Sequence, residues 1–283
     1  MKTIPSLIVF LMIIFFTFML KPTSKSNITN YTFIKPLNSY QIAQYARDSN
    51  RYIAHAGGQI DGFNYTNSLE ALNLSYRKGF KKFELDIILT SDGHFVAAHD
   101  WQKWQRISSF KDQIPPTRDE FLNQKIYGKY TAMDMTAINK WFKNHPDTLL
   151  ITDKINQVES FANQFVDKNR LMMELFSWDS VSEAESVGIR SALPTGGLLK
   201  DYPDNLIEKL KHHQIEEVAL SRKFIESEIE LLNTLKTAGI KMYAFHVNSK
   251  QGTGTGYMIC NESHYFYGIY ADNWQKDWQP NCH

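Results

Sequence analysis

The hydrophobic pattern of the chain changes period repeatedly along its length. Short apolar runs, which predict buried strands, occur at residues 52–55, 83–88, 149–153, 171–175, 191–193, 218–220, 241–247 and 268–271. Between most of them lie stretches with the helical spacing of apolar residues that is typical of one buried face. These stretches predict helices at 68–78, 133–143, 157–167, 180–186, 205–212 and 226–238. The run at 95–99 follows the second strand too closely for a helix to intervene, and we expect it to form a hairpin-like extension of that strand.

The order of these elements predicts a fold of the α/β class. Strands that alternate with helices form a parallel sheet, and eight of them close naturally into a (β/α)₈ TIM barrel. The chain has 283 residues, enough for one such barrel with little left over. We therefore predict a single TIM-barrel domain over residues 46–283, with no internal repeat and no second domain.

The N-terminal part of the chain has a different character. Residues 4–20 are almost entirely apolar. A length of about 17 residues is the lower limit for a membrane-spanning helix and is slightly long for the apolar core of a signal peptide. We predict a signal anchor or a signal peptide at residues 1–22 and a polar tether at 23–45. Either alternative predicts an exported barrel, anchored in the membrane and facing the periplasm or exterior, or secreted if the segment is cleaved. The two cysteines of the chain, Cys260 and Cys282, could pair in an oxidising compartment or remain free thiols.

Candidate chemistry lies where predicted strands end, which is where parallel barrels assemble their active sites. Glu84 and Asp86 are two residues apart in one strand, so both side chains point to the same face. Two such carboxylates repel each other unless a cation or a proton lies between them. Asp153 ends the next strand and is the third predicted ligand of one divalent cation, Ca²⁺ or Mg²⁺. His55 and His99 also follow apolar runs, and we predict that they are the catalytic acid and base.

Five further residues are candidates, and four of them have two open interpretations. Lys154 could bind a substrate phosphate or neutralise one of the acidic residues in an ion pair. Trp101 could form a substrate-binding rim or pack in the interior, and His246 is a candidate for substrate binding and specificity. Asp100 could orient a neighbouring side chain or cap the segment that follows it. Glu174 could add a polar wall to the site or lie at the edge of the core.

Several motifs occur in a fixed order along the first half of the chain. They read I-A-H-A-G-G at 53–58, F-E-L-D at 83–86, T-S-D-G at 90–93 and H-D at 99–100. Together they resemble the glycerophosphodiester phosphodiesterase family of phospholipase-C-like phosphodiesterases, whose pattern is H-R-G, E-N-T, E-x-D, T-x-D-G and H-D. The chain departs from that pattern in three places. Ala56 replaces the arginine, Thr66-Asn67-Ser68 replaces E-N-T, and Asp153 directly precedes Lys154 where the family has E-x-K.

The resemblance implies metal-dependent hydrolysis of a glycerophosphodiester-like substrate by two histidines. It also implies that a neighbouring hydroxyl of the substrate could attack first and form a cyclic phosphate. Two alternatives remain: a phospholipase that acts on a lipid headgroup or an envelope phosphopolymer, and a non-catalytic binding protein on a degenerate barrel, which the missing arginine favours. Expected partners are a small-molecule or lipid-derived phosphodiester and, through the N-terminal segment, a membrane. Lysine plus arginine total 31 against 30 acidic residues, which argues against nucleic acid.

Overall fold

The computed structural model describes residues 34–189, 191–200, 205–248, 253–279 and 281–282. The apolar segment at 4–20 and the tether up to residue 33 lie outside these ranges. Among the residues that are described, no helix is both long enough and apolar enough to cross a membrane.

Eight parallel strands form the barrel within the described part of the chain. Their order in the sheet is β8-β7-β6-β2-β1-β11-β10-β9, and a parallel bridge between Thr195 and Ala219 joins the two ends. The prediction of a TIM barrel is confirmed. The strands are β1 (Tyr52–Ala54), β2 (Lys82–Leu89), β6 (Leu149–Asp153), β7 (Leu171–Leu175), β8 (Ser191–Pro194), β9 (Glu217–Ser221), β10 (Lys241–Phe245) and β11 (Gly268–Ala271).

Among the described residues, three further strands lie outside the barrel wall. The strand β3 (Phe95–Ala97) pairs antiparallel with the end of β2, as expected for a hairpin-like extension. The strands β4 (Lys125–Ile126) and β5 (Tyr130–Thr131) form a separate antiparallel pair. Because β3 folds back beside β2, it brings the loop that begins at residue 98 to the same end of the barrel as the acidic residues of β2.

The helices of the described residues surround the barrel and differ from the prediction in seven places. A helix α1 occupies part of the segment expected to be irregular, and four helices were not predicted: α3, which Asp100 caps, and α4, α8 and α12. The helix expected at 157–167 ends at residue 162, and the one expected at 226–238 is two helices separated at Glu228, where φ is −143°. The helices are α1 (Ser39–Arg47), α2 (Leu69–Lys78), α3 (Trp101–Ser108), α4 (Arg118–Leu122), α5 (Met135–Asn144), α6 (Val158–Ala162), α7 (Trp178–Ser186), α8 (Gly196–Lys200), α9 (Leu206–His212), α10 (Phe224–Ser227), α11 (Ile229–Thr237) and α12 (Thr255–Asn261).

Apolar side chains of the described residues form three clusters. The barrel interior contains one that includes Ile53, Ile151 and Tyr243, and a larger one packs between the strands and the helices. The third includes Trp104 of α3 and Phe121 of α4. A disulfide joins Cys260 of α12 to Cys282, with the two Cα atoms 5.3 Å apart. Of the two alternatives for the cysteines, the structure therefore has the paired one.

Candidate active site

Three carboxylates converge at the C-terminal end of the barrel. Glu84 and Asp86 project from β2, and Asp153 ends the neighbouring strand β6, where it is the register partner of Asp86. Each residue offers one oxygen within 4.8 Å of the others. Glu84 and Asp86 are each only 2% exposed. The sequence prediction that these three side chains would meet agrees with their positions in the structure.

Glu84 is the least satisfied of the three carboxylates. Its Oε2 accepts a 2.6 Å hydrogen bond from the backbone N–H of Ala56, but its Oε1 is buried without a hydrogen-bond partner in the described part of the chain. Burial raises the pKa of the Glu84 carboxyl well above its ordinary value, and the charges of Asp86 and Asp153 raise it further. A cation bound at the cluster would stabilise the carboxylate form of Glu84.

Asp86 is held in place by one side chain from the loop before α2. The Nδ2 group of Asn67 donates to Asp86 Oδ2 at 2.9 Å, and Asn67 Oδ1 accepts from the Asp86 backbone N–H at 3.0 Å. Asn67 is buried and has a left-handed backbone with φ of 47°. Sequence reasoning did not give Asn67 a role, although it is the unchanged middle residue of the triplet that replaces E-N-T.

Lys154 lies beside the acidic cluster. Its ammonium is 2.8 Å from Asp153 Oδ2 and 3.8 Å from Asp86 Oδ1. Burial lowers the pKa of Lys154, but the adjacent carboxylates, Asp153 foremost, outweigh burial and raise it above its ordinary value. The ion pair expected as one alternative is thus present, and phosphate binding by Lys154 stays a prediction. One ammonium beside three carboxylates leaves a surplus of negative charge.

The two histidines each bind a carboxylate through the same ring atom. His55 Nδ1 is 2.9 Å from Asp272 Oδ1, and His99 Nδ1 is 2.6 Å from Asp100 Oδ2. Asn64 Nδ2 donates to the other oxygen of Asp272 at 3.0 Å. Within the described residues no hydrogen bond involves Nε2 of either ring, so Nε2 is the nitrogen available for proton transfer. Asp272 was not predicted as a site residue, although it directly follows the predicted strand at 268–271.

Asp100 has both of the roles that the sequence left open. One carboxylate oxygen binds His99, and the other accepts a 2.7 Å hydrogen bond from the backbone N–H of Lys103 and so caps α3. The start of α3 therefore fixes the carboxylate that holds His99.

A cavity of about 360 Å³ brings these groups together. The histidines, the three acidic residues and Lys154 line the cavity together with Phe176, Phe224 and Phe245. Glu174 also lines it and accepts a 2.6 Å hydrogen bond from Tyr270, and burial raises the pKa of its carboxyl well above the ordinary value.

The structure separates the two remaining candidates. His246 lines the cavity, and its Nδ1 is 3.0 Å from the hydroxyl of Ser221. Burial lowers the pKa of His246, and the nearby positive charge of Lys223 lowers it further. Trp101 is not among the residues that line this cavity. Its ring instead packs edge-on against Trp104 and Phe121, with centroids 5.7 and 6.1 Å away.

A divalent cation fits the acidic cluster on the chemistry of its donors. The cluster offers oxygen ligands only, which suit Ca²⁺ or Mg²⁺. The buried Glu84 Oε1 lacks a partner that a cation would supply, and Lys154 lies against Asp153 and Asp86 instead.

Comparison with solved structures finds the same barrel in several enzymes. The chain shares its fold with glycerophosphodiester phosphodiesterases. A phosphodiesterase from Oleispira antarctica, solved with the product sn-glycerol-3-phosphate, is 17% identical, with 80% of this chain and 94% of that chain covered and a TM-score of 0.62. A glycerophosphoryl diester phosphodiesterase from Parabacteroides distasonis is 17% identical, with coverages of 84% and 90% and a TM-score of 0.62. The Thermotoga maritima enzyme is 18% identical, with coverages of 78% and 93% and a TM-score of 0.54.

These identities establish a common fold, which agrees with the resemblance in the sequence motifs. No protein-family model and no functionally curated protein matches the chain. Assignment of an activity therefore depends on the residues of the cavity.

Proposed function

We propose that this protein is a metal-dependent phosphodiesterase that hydrolyses a glycerophosphodiester-like substrate. The observation that carries the proposal is the meeting, in one cavity, of two imidazoles fixed at Nδ1 with a three-carboxylate cluster. Phosphodiester hydrolysis needs a base, an acid and a positive charge at the phosphoryl oxygens, and this arrangement can provide all three. The solved phosphodiesterases with this fold add support.

The histidines would divide the proton transfers between them. One Nε2 takes the proton from the attacking hydroxyl, and the other gives a proton to the departing alkoxide. Asp272 and Asp100 would each hold a proton at Nδ1, which would orient the ring and stabilise its charged form. The attacking hydroxyl is a water or a neighbouring hydroxyl of the substrate, and in the second case water then opens a cyclic phosphate.

The acidic cluster would supply the electrostatic part of the reaction. A divalent cation held by Glu84, Asp86 and Asp153 would neutralise charge on the phosphoryl oxygens. Lys154 remains paired with Asp153 and adds a second positive charge beside the same cavity.

A hydrolysis assay tests this proposal. The protein is incubated with a glycerophosphodiester, a lyso-phospholipid and a glycerol-phosphate polymer, each with Ca²⁺, with Mg²⁺ and with chelator. We expect release of a phosphomonoester or a cyclic phosphate only with cation. Cleavage confined to the lipid or the polymer would identify the phospholipase alternative, and binding without cleavage in every arm would identify a non-catalytic protein.

We also propose that the barrel works outside the cytoplasm. The disulfide between Cys260 and Cys282 supports an oxidising compartment, and the apolar segment at 4–20 supports export. Fractionation followed by N-terminal sequencing tests this. A membrane-bound protein with an intact N-terminus would indicate an anchor, a soluble one starting near residues 23–27 a signal peptide, and a cytosolic protein with free thiols would contradict export.

A further inference from the structure

One aromatic side chain contacts both histidines. The ring of Tyr65 lies edge-on to His55 with centroids 4.6 Å apart and to His99 with centroids 5.1 Å apart, at interplanar angles of 76° and 86°. Both separations lie in the favourable range for edge-to-face aromatic pairs. Tyr65 also lines the cavity. A single ring thus links the two groups that the proposed reaction uses as acid and base.

The carboxylates alone do not fix the relation between the imidazoles. Asp272 and Asp100 each hold one nitrogen of one ring, and a single hydrogen bond does not by itself prevent a ring from tilting about it. His55 also lies edge-on to Tyr270, with centroids 6.3 Å apart, but that ring does not contact His99. Proton transfer needs both Nε2 atoms within hydrogen-bond reach of their oxygens in the same complex. Because the edge of a second ring restricts such tilting, a shared contact with Tyr65 also sets one imidazole relative to the other.

Tyr65 itself is held in an unusual conformation. Its φ is 60°, in the left-handed region that residues with large side chains rarely adopt. A strained backbone persists only where its surroundings fix it, and such residues concentrate at functional sites. Here the surroundings include Lys103, whose ammonium lies 3.3 Å from the centroid of the Tyr65 ring.

Lys103 belongs to the same local network as His99. It lies in the first turn of α3, and its backbone N–H donates to Asp100, the carboxylate that binds His99. The charges of Asp86, Asp100 and Asp272 attract its ammonium into this region, and the ammonium lies directly over the Tyr65 ring. One turn of helix therefore holds His99 through Asp100 and Tyr65 through Lys103.

We propose that Tyr65 is a positioning residue for both histidines and that Lys103 holds the Tyr65 ring in place. The proposal rests on the proposed phosphodiesterase function, since it concerns the acid and base of that reaction. Neither residue was singled out by the sequence motifs, and neither needs to touch the substrate to act. The ring, rather than the hydroxyl, of Tyr65 is the active feature.

Kinetics of matched variants test this role. Tyr65→Leu removes the ring and should lower kcat roughly 10- to 100-fold, because a displacement of the catalytic groups by about 1 Å can cost up to roughly 100-fold in rate. Tyr65→Phe keeps the ring and should recover most of that loss. Lys103→Met should lower kcat about two- to fivefold, and Lys103→Arg, which can still stack, should recover it. KM should change little in all four variants, and the control Arg106→Met, an exposed cation on the same helix, should leave both constants unchanged.

Three kinetic outcomes would overturn the proposal. Wild-type kcat in Tyr65→Leu would show that the ring is dispensable. Equal losses in Tyr65→Leu and Tyr65→Phe would assign the effect to the hydroxyl. A raised KM with unchanged kcat would make Tyr65 a substrate-binding residue instead.

A spectroscopic measurement separates this proposal from the proposed function. The imidazole Hε1 resonances of His55 and His99, assigned from the two alanine variants, should both shift in Tyr65→Leu and in Lys103→Met, but not in Arg106→Met. This holds even if the wild-type protein hydrolyses no phosphodiester, in which case only the proposed function fails. Unchanged resonances in a folded, active protein would refute the positioning role alone.

Discussion

Replacing Glu84 by glutamine tests the electrostatic argument for the metal site. Glutamine keeps the shape of the side chain and an oxygen that can accept from the Ala56 backbone N–H, but it removes the negative charge. In the cation-free protein that charge is buried and faces Asp86 and Asp153. Removing it should therefore stabilise the protein when no cation is present.

The magnitude follows from the separations in the cluster. With oxygens within 4.8 Å, each like-charged pair repels by roughly 3 kcal/mol at an effective dielectric constant of about 20. The Lys154 ammonium offsets part of this repulsion, so we expect glutamine to raise the free energy of unfolding by about 1–3 kcal/mol at pH values above the raised pKa of Glu84. Folding raises the pKa of Glu84, so the protonated form favours the folded state, and this stability is lost as pH rises through the folded pKa. The difference in the free energy of unfolding between Glu84→Gln and the wild type should therefore increase as pH rises through this pKa and disappear at acid pH.

Denaturant unfolding with and without cation provides the assay. An ion that binds only the folded protein stabilises it by about 2.7 kcal/mol at a concentration of 100 times Kd, and this gain should appear in the wild type and largely disappear in Glu84→Gln. The exposed residue Glu208 offers a control, since Glu208→Gln makes the same charge change away from the cavity. Destabilisation of the cation-free protein by Glu84→Gln, together with equal stabilisation of both proteins by Ca²⁺ and Mg²⁺, would refute the reasoning.

Four other substitutions have clear expected outcomes. His55→Ala and His99→Ala should each lower kcat at least about 100-fold without unfolding the protein, because acid–base groups contribute roughly that much or more; a smaller loss in steady-state assays would argue against the role. Asp272→Asn should lower kcat at least roughly tenfold, since an amide can favour the wrong tautomer of His55, and full activity would make Asp272 merely structural. Cys260→Ser removes a disulfide between residues 22 positions apart and should lower the free energy of unfolding by about 3 kcal/mol in urea titrations. An unchanged free energy of unfolding would show that the disulfide does not stabilise the protein.

The barrel could be predicted from the sequence because each strand and most helices are marked by a pattern of apolar residues within their own segment. Apolar runs gave β6, β7 and β11 their observed bounds, and period-two spacing correctly placed Glu84 and Asp86 on one face. Prediction was weaker where a single backbone angle decides the outcome. The break at Glu228 divides an otherwise continuous apolar stripe into α10 and α11, and no apolar pattern marks it.

Residues of the site that sequence reasoning missed share a different property. Asn67 and Tyr65 both have left-handed backbones in the loop before α2, and their partners are set by how that loop folds over the barrel end. Polar loop residues usually form turns, so their identity alone does not indicate a role at the site. Lys103 was missed for a related reason, since it acts from α3, a helix that the apolar pattern did not predict.

The pairing of His55 with Asp272 shows how register creates a site that neither segment encodes alone. The two residues are 217 positions apart, yet β1 and β11 are neighbouring parallel strands in which Ala54 is the partner of Ala271. His55 directly follows β1 and Asp272 directly follows β11, so the two residues leave the sheet at the same level. The same argument joins Asp86 to Asp153 across β2 and β6. A one-residue shift in the register of either strand pair would turn one of the two side chains to the opposite face of the sheet and break the contact. The predicted strand ends indicated which residues reach the end of the barrel. The register in which the barrel closes then decides which of these residues lie close enough to act together.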